Sequence, residues 1–328
     1  MNEKEYLLAV DGDGKRTQAL LADRDGNVLA RGLGPDSNIH NVGIEALGDA
    51  TRTAVDGALL SVLGPRVLSD QPGWQRVKIV SACFGLAGID NAEDEAQVSR
   101  WLREHGLACP VKVVNDSELI LAAGTPEGWG VALISGTGSV CLARTADGRV
   151  ARVGGWGHLL GDEGSGYSMA MRALSIACQT ADGRLDAKGL LAAVLQRWAL
   201  PNAASLIRHV YASDTKPADI AVLAETVLGL ASRGDAVALS IVEESARELS
   251  KHVVAAVETL GMTKPPLALS GGTLRGVLRH SLQDLIAARV GPTQYVADPA
   301  LGAVALARRA AMPRAVGLGR PAAYSAPT

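Results

Sequence analysis

Short apolar segments that end in glycine turns recur in both halves of this chain, and they restrict it to folds with sheets and tight loops. The first, "YLLAVDGDG", reads as a strand, and "TQALLADRDGNVLARG" reads as two more strands joined by an Asp25-Gly26 turn. Apolar residues at helical spacing follow, from Val42 to Leu63 and from about Asn91 to His105. The second half repeats this order, from "GWGVALISGTGSVCLARTADGRVARVGG" into a series of helices. The sequence therefore predicts an α/β chain with weak internal duplication.

The composition is that of an ordinary globular protein and excludes several classes of partner. The chain has 328 residues, 48% of them hydrophobic, which is enough for two domains. Its net charge of −2, with scattered Lys and Arg, argues against a nucleic-acid partner. The N-terminus "MNEKEYLLAV" is acidic where a signal peptide is basic, and no apolar run is long enough to cross a bilayer. We expect a cytoplasmic protein with no membrane partner.

Four glycine turns stand where a strand ends or a helix begins. They are "VDGDGKRT", "LISGTGSV", "GGWGHLLGDEGSG" and "LALSGGTLRG". A single turn of this kind has a simple structural explanation, because tight hairpins need residues that tolerate a positive φ. Several together favour a phosphate site, since the backbone N–H groups of such turns bind anions. The set therefore predicts a nucleotide-binding protein.

In order and content these segments resemble the actin, hexokinase and heat-shock chaperone superfamily, and within it the N-acetylglucosamine kinase and BadF/BadG ATPase group. The resemblance runs from Tyr6 to about Met312, and its most specific parts are "VVND", "LISGTGS" and "GGWGHLLGDEGSGY". It implies two ribonuclease H-like domains, each a mixed β-sheet flanked by helices, with a cleft between them for ATP. It also implies phosphoryl transfer to an amino sugar, a magnesium ion and a homodimer.

The expected domain boundaries follow from this resemblance. The N-terminal domain is expected at residues 1–114, completed by a helix at about 299–312. The C-terminal domain is expected at residues 115–298, and a loosely held tail at 313–328.

The resemblance also gives the glycine turns separate roles toward the nucleotide. The turn "DGDGKRT" would be the first phosphate loop, "SGTGS" the second, and "SGG" with Gly234 would line the adenosine. The predicted nucleotide-binding residues are Gly12, Gly14, Lys15, Thr17, Gly136, Thr137, Gly138, Gly234, Gly271 and Gly272.

Two aspartates are the candidates for the phosphoryl-transfer chemistry. Asp116 follows the strand "VKVVN", where it could serve as a helix N-cap or as the general base that takes a proton from the attacking hydroxyl. In the resembled family the Asp of this N-D pair is the base. Asp11 ends the first strand, where it could begin an Asx-turn or, as the resemblance favours, reach magnesium through a water, with Asp13 as a further candidate ligand.

The segment "GGWGHLLGDEGSGY" combines carboxylates with an aromatic ring, as sugar recognition requires. Trp156 could instead be a core residue, whereas Asp162 and Glu163 could accept hydrogen bonds from hydroxyl groups. In the resembled family the acceptor sugar is held by the Gly-Trp-Gly stretch, by the Asp of G-D-E-G and by an Asn before the first helix. His158 is interpreted as a hydrogen-bonding residue that lines the sugar site, and not as a base. The predicted substrate-binding residues are Asn38, Asn115, Asp116, Ser139, Gly155, Trp156, Gly157, His158, Asp162 and Glu163.

The first phosphate loop departs from the family pattern, which is close to D-G-G-G-T-K-T. Here Asp13 replaces a glycine and Lys15 replaces the threonine that touches phosphate. An acid near a phosphate is unfavourable unless a cation intervenes. Val140 also stands where mammalian N-acetylglucosamine kinases have a polar residue, which weakens the case for N-acetyl recognition.

Three hypotheses follow. The first is an ATP-dependent kinase that phosphorylates a hydroxyl of an amino sugar, N-acetylglucosamine above all, with Asp116 as the base. The second is a sugar- or nucleotide-binding pseudokinase, impaired by Asp13 and Lys15. The third is a BadF-type ATPase that drives electron transfer, which the widely separated cysteines disfavour because such an activator holds a cluster.

Overall fold

The structure, a computed structural model, describes residues 4–13, 15–64 and 72–312. These residues form two compact units. The first contains the described residues up to Trp129, the segment Ala146–Arg149 and the residues from Val296 onward. The second contains Gly130–Thr145 and Val150–Tyr295. Each unit has a mixed β-sheet flanked by helices, as the resemblance implies.

The strands of the described residues form one sheet in each unit. In the first, the order is β3-β2-β1-β4-β5, with antiparallel β1–β2 and β2–β3 pairs and parallel β1–β4 and β4–β5 pairs. In the second, the order is β10-β9-β6-β7-β8, with antiparallel β6–β7 and β7–β8 pairs and parallel β6–β9 and β9–β10 pairs. Both sheets thus join a three-stranded meander to two parallel strands. The strands are β1 Glu5–Gly12, β2 Thr17–Ala22, β3 Val28–Gly34, β4 Lys78–Leu86, β5 Val111–Asn115, β6 Gly130–Ser135, β7 Ser139–Arg144, β8 Val150–Gly154, β9 Leu267–Ser270 and β10 Thr293–Tyr295.

Helices cover these sheets. The α-helices are α1 Ile39–Leu63, α2 Ala92–Glu104, α3 Asp116–Gly124, α4 Gly166–Ala181, α5 Lys188–Arg197, α6 Ser205–Val210, α7 Pro217–Ala221, α8 Leu223–Ser232, α9 Ala236–Leu260, α10 Gly276–Ile286 and α11 Ala300–Ala311. Short 3-10 helices lie at Gly73–Arg76 and Pro126–Gly128. No helix within the described ranges has both the length and the hydrophobicity to span a membrane.

In the first unit, the sheet is buried on both faces. Successive side chains of a strand face opposite sides of its sheet. Leu8 of β1 accordingly packs in a cluster with Leu47 of α1, whereas Leu7 packs with Leu119 of α3 and Ala303 of α11. The last described helix therefore completes the core around the first strand. The second unit has a separate core, in which β6, β7 and β9 pack with α4, α8, α9 and α10.

The division between the units differs from the expected boundary at 114/115. It lies after Trp129, because α3 packs on α11 and on the first sheet and so stays with the first unit. The helix expected at about 299–312 is α11 and also lies in this unit. The expected tail at 313–328 lies outside the described residues.

Candidate functional site

The carboxyl ends of β1, β4 and β5 bring the predicted catalytic and metal-binding aspartates to one edge of the first sheet. These strands are parallel, with Gly12 opposite Leu86 and Leu86 opposite Asn115. Polar residues that follow parallel strands meet at one edge, where open α/β sheets bind ligands. Asp11 and Asp116 are close enough that the Asp116 charge raises the pKa of Asp11.

The Asp11 carboxyl lies in an environment with excess negative charge. Burial, followed by the charges of Asp116, Asp13 and Asp298, raises its pKa to about 7, and Arg16 opposes this shift only in part. Such a carboxyl fits a cation, because a positive charge beside it would relieve the repulsion. Among the described residues, no group of three or more His, Cys, Asp or Glu side chains could hold a metal ion. Two neighbouring carboxylates that repel each other are a donor set of the kind that Mg²⁺ takes, because this ion binds one or two carboxylates together with waters and substrate phosphates.

Asp13 organises the first glycine turn. Its Oδ1 accepts hydrogen bonds from the backbone N–H groups of Lys15, at 2.6 Å, and Arg16, at 2.9 Å. Its own N–H donates to the Arg16 carbonyl at 3.0 Å, and its carbonyl accepts from the Ser37 N–H at 3.2 Å. The carboxylate thus occupies two backbone donors of the kind that a phosphate loop offers to phosphate.

The other predicted residues of this turn differ in accessibility. Thr17 is fully buried, and its hydroxyl donates to the Pro35 carbonyl at 2.6 Å, so the structure gives this side chain a role inside the hairpin. Gly12 is buried opposite Thr17, and its carbonyl accepts from the Ala87 N–H at 2.8 Å. Lys15 is exposed, whereas Gly14 lies outside the described residues.

Two of the predicted asparagines are helix N-caps in the first unit. Asn115 is the N-cap of α3, because its Oδ1 accepts from the Ser117 N–H at 3.1 Å, and its amide donates to the Ile89 carbonyl at 3.2 Å. The expectation that Asp116 could itself be the cap is wrong, since Asp116 is the first residue of the helix. Asn38 caps α1 by accepting from the His40 N–H at 3.0 Å. The cap of α3 is therefore Asn115, and Asp116 lies in the first turn of this helix.

In the second unit, three glycine-containing segments are tied together. Ser135, at the end of β6, and Thr273 have hydroxyl oxygens 2.6 Å apart, and the Thr273 N–H donates to the Ser135 carbonyl at 3.3 Å. Gly271 has a φ of +107°, and a Cβ there would collide with the Ser135 carbonyl oxygen. The Ser135 hydroxyl also reaches the Gly164 carbonyl at 3.0 Å. The predicted "SGTGS" and "SGG" loops are therefore neighbours.

The start of α4 closes on the second phosphate loop. The Gly166 N–H donates to the Gly136 carbonyl at 2.8 Å, and the Tyr167 N–H donates to the Thr137 carbonyl at 3.1 Å. Gly234 lies in the turn between α8 and α9, and the position that a Cβ would take there is open.

We call Gly154–Gly164 the tryptophan loop. Asp162 within it is buried and has a φ of +58°, a left-handed conformation that Asp tolerates better than most residues. Its Oδ1 accepts from the Ser139 N–H at 3.1 Å, and the Ser139 hydroxyl donates to the Glu163 carbonyl at 2.8 Å. Burial raises the pKa of Asp162, and the hydrogen bond from Ser139 opposes the rise. The structure thus brings Ser139, Asp162 and Glu163 together.

The middle of the tryptophan loop exposes apolar side chains. Trp156 is 66% exposed, Leu159 83% and Leu160 80%, so the alternative that Trp156 is a core residue is wrong. The His158 ring lies edge-to-face on Tyr167, with ring centroids 5.0 Å apart. Gly155 is linked to Arg152 through its carbonyl at 3.2 Å, and Gly157 accepts through its carbonyl from the Gly161 N–H at 2.8 Å. The tryptophan loop thus carries an exposed indole and a buried carboxylate, which are two kinds of group that bind a pyranose.

Some residues of these clusters had no motif to identify them. His252 of α9 lies 3.7 Å from the Glu163 carboxylate. Tyr295 of β10 donates from its hydroxyl to the Gly271 carbonyl at 3.0 Å, and the guanidinium groups of Arg275 and Arg279 lie over its ring. Thr273 directly follows "SGG", which was the available signal; His252 and Tyr295 reach their partners from distant parts of the sequence.

The described cavities overlap the predicted site only in part. One of about 210 Å³ is lined by Glu163 and Gly164 together with Arg172, Glu244 and Glu248. A larger one of about 540 Å³ contains none of the predicted residues and is lined by Leu200, Pro201, Ser205, Arg208, His209, Ala212, Asp214, Thr215 and Asp219.

Comparison with known proteins places these features in one family. The chain is 32% identical over 311 residues to an N-acetylmuramic acid/N-acetylglucosamine kinase of Clostridium acetobutylicum, covering 93% of this chain and 98% of that protein. It is 29% identical over 317 residues to an N-acetyl-D-glucosamine kinase of Dictyostelium discoideum, with the same coverage of 93% and 98%.

A solved structure and a family model extend the comparison. A Chromobacterium violaceum protein assigned as an N-acetylglucosamine kinase has a TM-score of 0.71 and 25% identity, covering 92% of this chain and 98% of that one. The model of the BadF/BadG/BcrA/BcrD ATPase family matches residues 8–307. This match spans nearly all of both units, and the chain belongs to the BadF/BadG/BcrA/BcrD ATPase family.

Proposed function

We propose that this protein is an ATP-dependent sugar kinase that phosphorylates a hydroxyl of an amino sugar, with N-acetylglucosamine as its first candidate substrate. The observation that carries the proposal is the pair Asp11 and Asp116 at the carboxyl edge of the first sheet, where Asp11 has a pKa raised to about 7. Kinase activity on N-acetylated amino sugars in the two relatives supports the choice of reaction.

Asp116 is the proposed general base. It would accept the proton of the sugar hydroxyl as that oxygen attacks the γ-phosphoryl group, a role suited to a carboxylate because the transfer needs a positioned rather than a strongly activated nucleophile. Asp11, with Asp13 nearby, is the proposed holder of Mg²⁺. Bound Mg²⁺ and ATP would supply charge neutralisation and the phosphoryl group.

The remaining predicted residues form two sets, one proposed to bind the nucleotide and one proposed to bind the sugar. The loops at Gly136–Gly138 and Gly271–Gly272, together with Lys15, are proposed to bind the nucleotide. Asn38 and Asn115 in the first unit, and Ser139, Asp162 and the tryptophan loop in the second, are proposed to bind the sugar. The exposed Trp156 would cover the C–H face of the pyranose.

Release of ADP in the presence of Mg²⁺ tests this proposal. The acceptors are N-acetylglucosamine, N-acetylmuramic acid, N-acetylmannosamine, glucosamine and glucose. We expect turnover with at least one N-acetylated sugar and weaker turnover with glucose. Absence of ADP release with the whole set would reject the kinase proposal for these acceptors.

A second candidate is a pseudokinase that binds sugar without turnover. The Asp13 carboxylate favours it, because this group already holds the Lys15 and Arg16 N–H donors. If the carboxylate blocks phosphate binding, the double variant Asp13→Gly/Lys15→Thr will gain ADP release while sugar affinity in calorimetry stays unchanged. The single variant Lys15→Thr is the control. Full activity of the wild type, reduced in the double variant, would instead show that the charge pair serves catalysis.

A further inference from the structure

His252 is a buried polar residue that the proposed chemistry does not use. It lies on α9 and is 7% exposed. Its Nδ1 is 2.9 Å from the Glu248 carbonyl oxygen. A carbonyl oxygen only accepts, so Nδ1 carries the hydrogen and donates it. The Nε2 atom on the other side of the ring is left for a different partner.

The same ring meets both ends of the tryptophan loop. At its start, a Cβ on Gly154 would stand 2.5 Å from both Cδ2 and Nε2 of His252, so the ring lies directly against this glycine. Gly154 also has a φ of +76°, which disfavours any other residue there. Near the end of the loop, the Glu163 carboxylate lies 3.7 Å from Nε2, within ion-pair distance when the ring is doubly protonated.

The loop between these points needs such anchoring. Its central side chains, including Leu159 and Leu160, are largely exposed and contribute little packing. Exposed loops with few buried apolar contacts open at low free-energy cost unless their ends are held. Ser139 holds Asp162 and Glu163 from one side, and His252 contacts Glu163 and Gly154.

We propose that His252 is a positioning residue, which clamps the two ends of the tryptophan loop and thereby fixes Asp162 and Trp156 for sugar binding. The link to sugar binding rests on the proposed function. The clamp itself is a property of the second unit and can be tested without turnover.

Two substitutions at His252 separate its two nitrogens. In His252→Asn the amide can still donate to the Glu248 carbonyl in place of Nδ1, but nothing reaches Glu163. In His252→Gln the longer amide can donate to Glu163, as the Nε2–H group does when the ring is doubly protonated. Glu163→Gln removes the partner charge from an exposed side chain. His280→Asn and His280→Gln are matched controls, because His280 is 81% exposed and lies on α10, outside this cluster.

Steady-state kinetics give the first measurement. For His252→Asn, we expect the KM for N-acetylglucosamine to rise about tenfold or more, because a small displacement of positioning groups is costly, while the KM for ATP changes less than about twofold. His252→Gln should recover most of the loss. An unchanged sugar KM in a folded His252→Asn variant, or an equal rise in both KM values, would overturn the inference.

Hydrogen–deuterium exchange decides the question independently of activity. We expect faster exchange of the loop amides at 155–163 in His252→Asn than in wild type, with unchanged exchange along the rest of α9. Equal loop exchange would overturn the clamp even in an active enzyme. If the wild type shows no turnover, the proposed function fails while this measurement still tests the clamp. If His252→Asn does not fold, Glu163→Gln provides the same comparison, with faster loop exchange supporting the inference and unchanged exchange rejecting it.

Discussion

Asp116 is the residue on which the proposed chemistry depends most directly. Its place at the start of α3 is not explained by capping, since Asn115 provides the cap. We expect Asp116→Asn to lower kcat by about two to four orders of magnitude, the usual contribution of a general base. Sugar affinity in calorimetry should change only a few-fold, because the side chain keeps its size.

The control for this variant is Asp25→Asn, at an exposed turn position of the same unit. Its kcat should match wild type. Turnover of Asp116→Asn close to the wild-type rate would remove Asp116 from the mechanism.

The raised pKa of Asp11 predicts that the stability of the folded protein depends on pH. Its pKa is raised to about 7 in the folded protein, so between about pH 4 and pH 7 the folded state keeps a proton that the unfolded state has lost. The contribution of Asp11 to the free energy of unfolding therefore falls as the pH rises through that window. Asp11→Asn should remove the loss and stabilise the ligand-free protein at pH 7.5 by up to about 4 kcal/mol.

Urea unfolding of wild type and Asp11→Asn at pH 5 and pH 7.5 measures this effect. The difference between the two proteins should grow with pH, whereas Asp25→Asn should follow wild type at both values. A constant difference would mean that Asp11 does not retain a proton in the folded state.

At this scale the sequence named residues by motif, and their roles stay predictions. Asp11 and Asp116 lie close enough for the charge of one to raise the pKa of the other, and Asp162 accepts a hydrogen bond from Ser139. By contrast, Thr17 was expected to bind the nucleotide, but its side chain is buried and its hydroxyl donates to the Pro35 carbonyl. His252 occupies one position of a continuous helical pattern and meets Glu163 only through the tertiary fold.

Among the elements, the short strand β10 holds the Gly271 loop in place. This three-residue strand carries Tyr295, whose hydroxyl holds the Gly271 carbonyl at 3.0 Å and accepts from Arg275 Nε at 3.2 Å. We expect Tyr295→Phe to weaken binding of a non-hydrolysable ATP analogue about fivefold, the worth of one hydrogen bond. Sugar affinity should stay the same.

Calorimetry with the analogue and Mg²⁺ provides the measurement. Tyr211→Phe is the matched control, since Tyr211 is 82% exposed. Unchanged analogue affinity in Tyr295→Phe would show that the Gly271 loop does not depend on this anchor.

Short elements were also the ones that the sequence did not predict. Strand β10 and helix α6 have too few residues for a periodic pattern to stand out. Helices α7 and α8 are separated only at Val222, so a continuous helical pattern in the sequence covers two elements of the structure. Long elements such as α9, with its Asp235 cap and its Gly261 end, could be predicted from periodicity and capping residues.

At the scale of the whole molecule, α11 joins the end of the described chain to its beginning. Leu306 is 6% exposed and packs in the cluster that contains Leu7 and Leu20 of the first sheet. Leu306→Ala should therefore lower the free energy of unfolding by about 2–5 kcal/mol. Leu301→Ala on the same helix, where the side chain is 42% exposed, should cost less than about 1 kcal/mol.

Urea unfolding of the two variants makes the comparison. Equal losses would show that burial against the first strand is not what holds α11. The N-terminal β-meander and most strands could be predicted from the sequence because glycine turns mark the strand ends, but the pairing of the parallel strands and the contact between α11 and α3 that shifts the unit boundary leave no local signal. The expected homodimer stays a prediction.

The equivalent strand orders of the two sheets have one more consequence. The hairpins β1–β2 and β6–β7 occupy the same position in their sheets, yet one turn carries Asp13, Lys15 and Arg16 while the other carries only small, uncharged residues. The two turns therefore differ in charge at equivalent places, and the uncharged turn at Gly136–Gly138 offers a template from the same molecule for replacing the charged residues of the first hairpin.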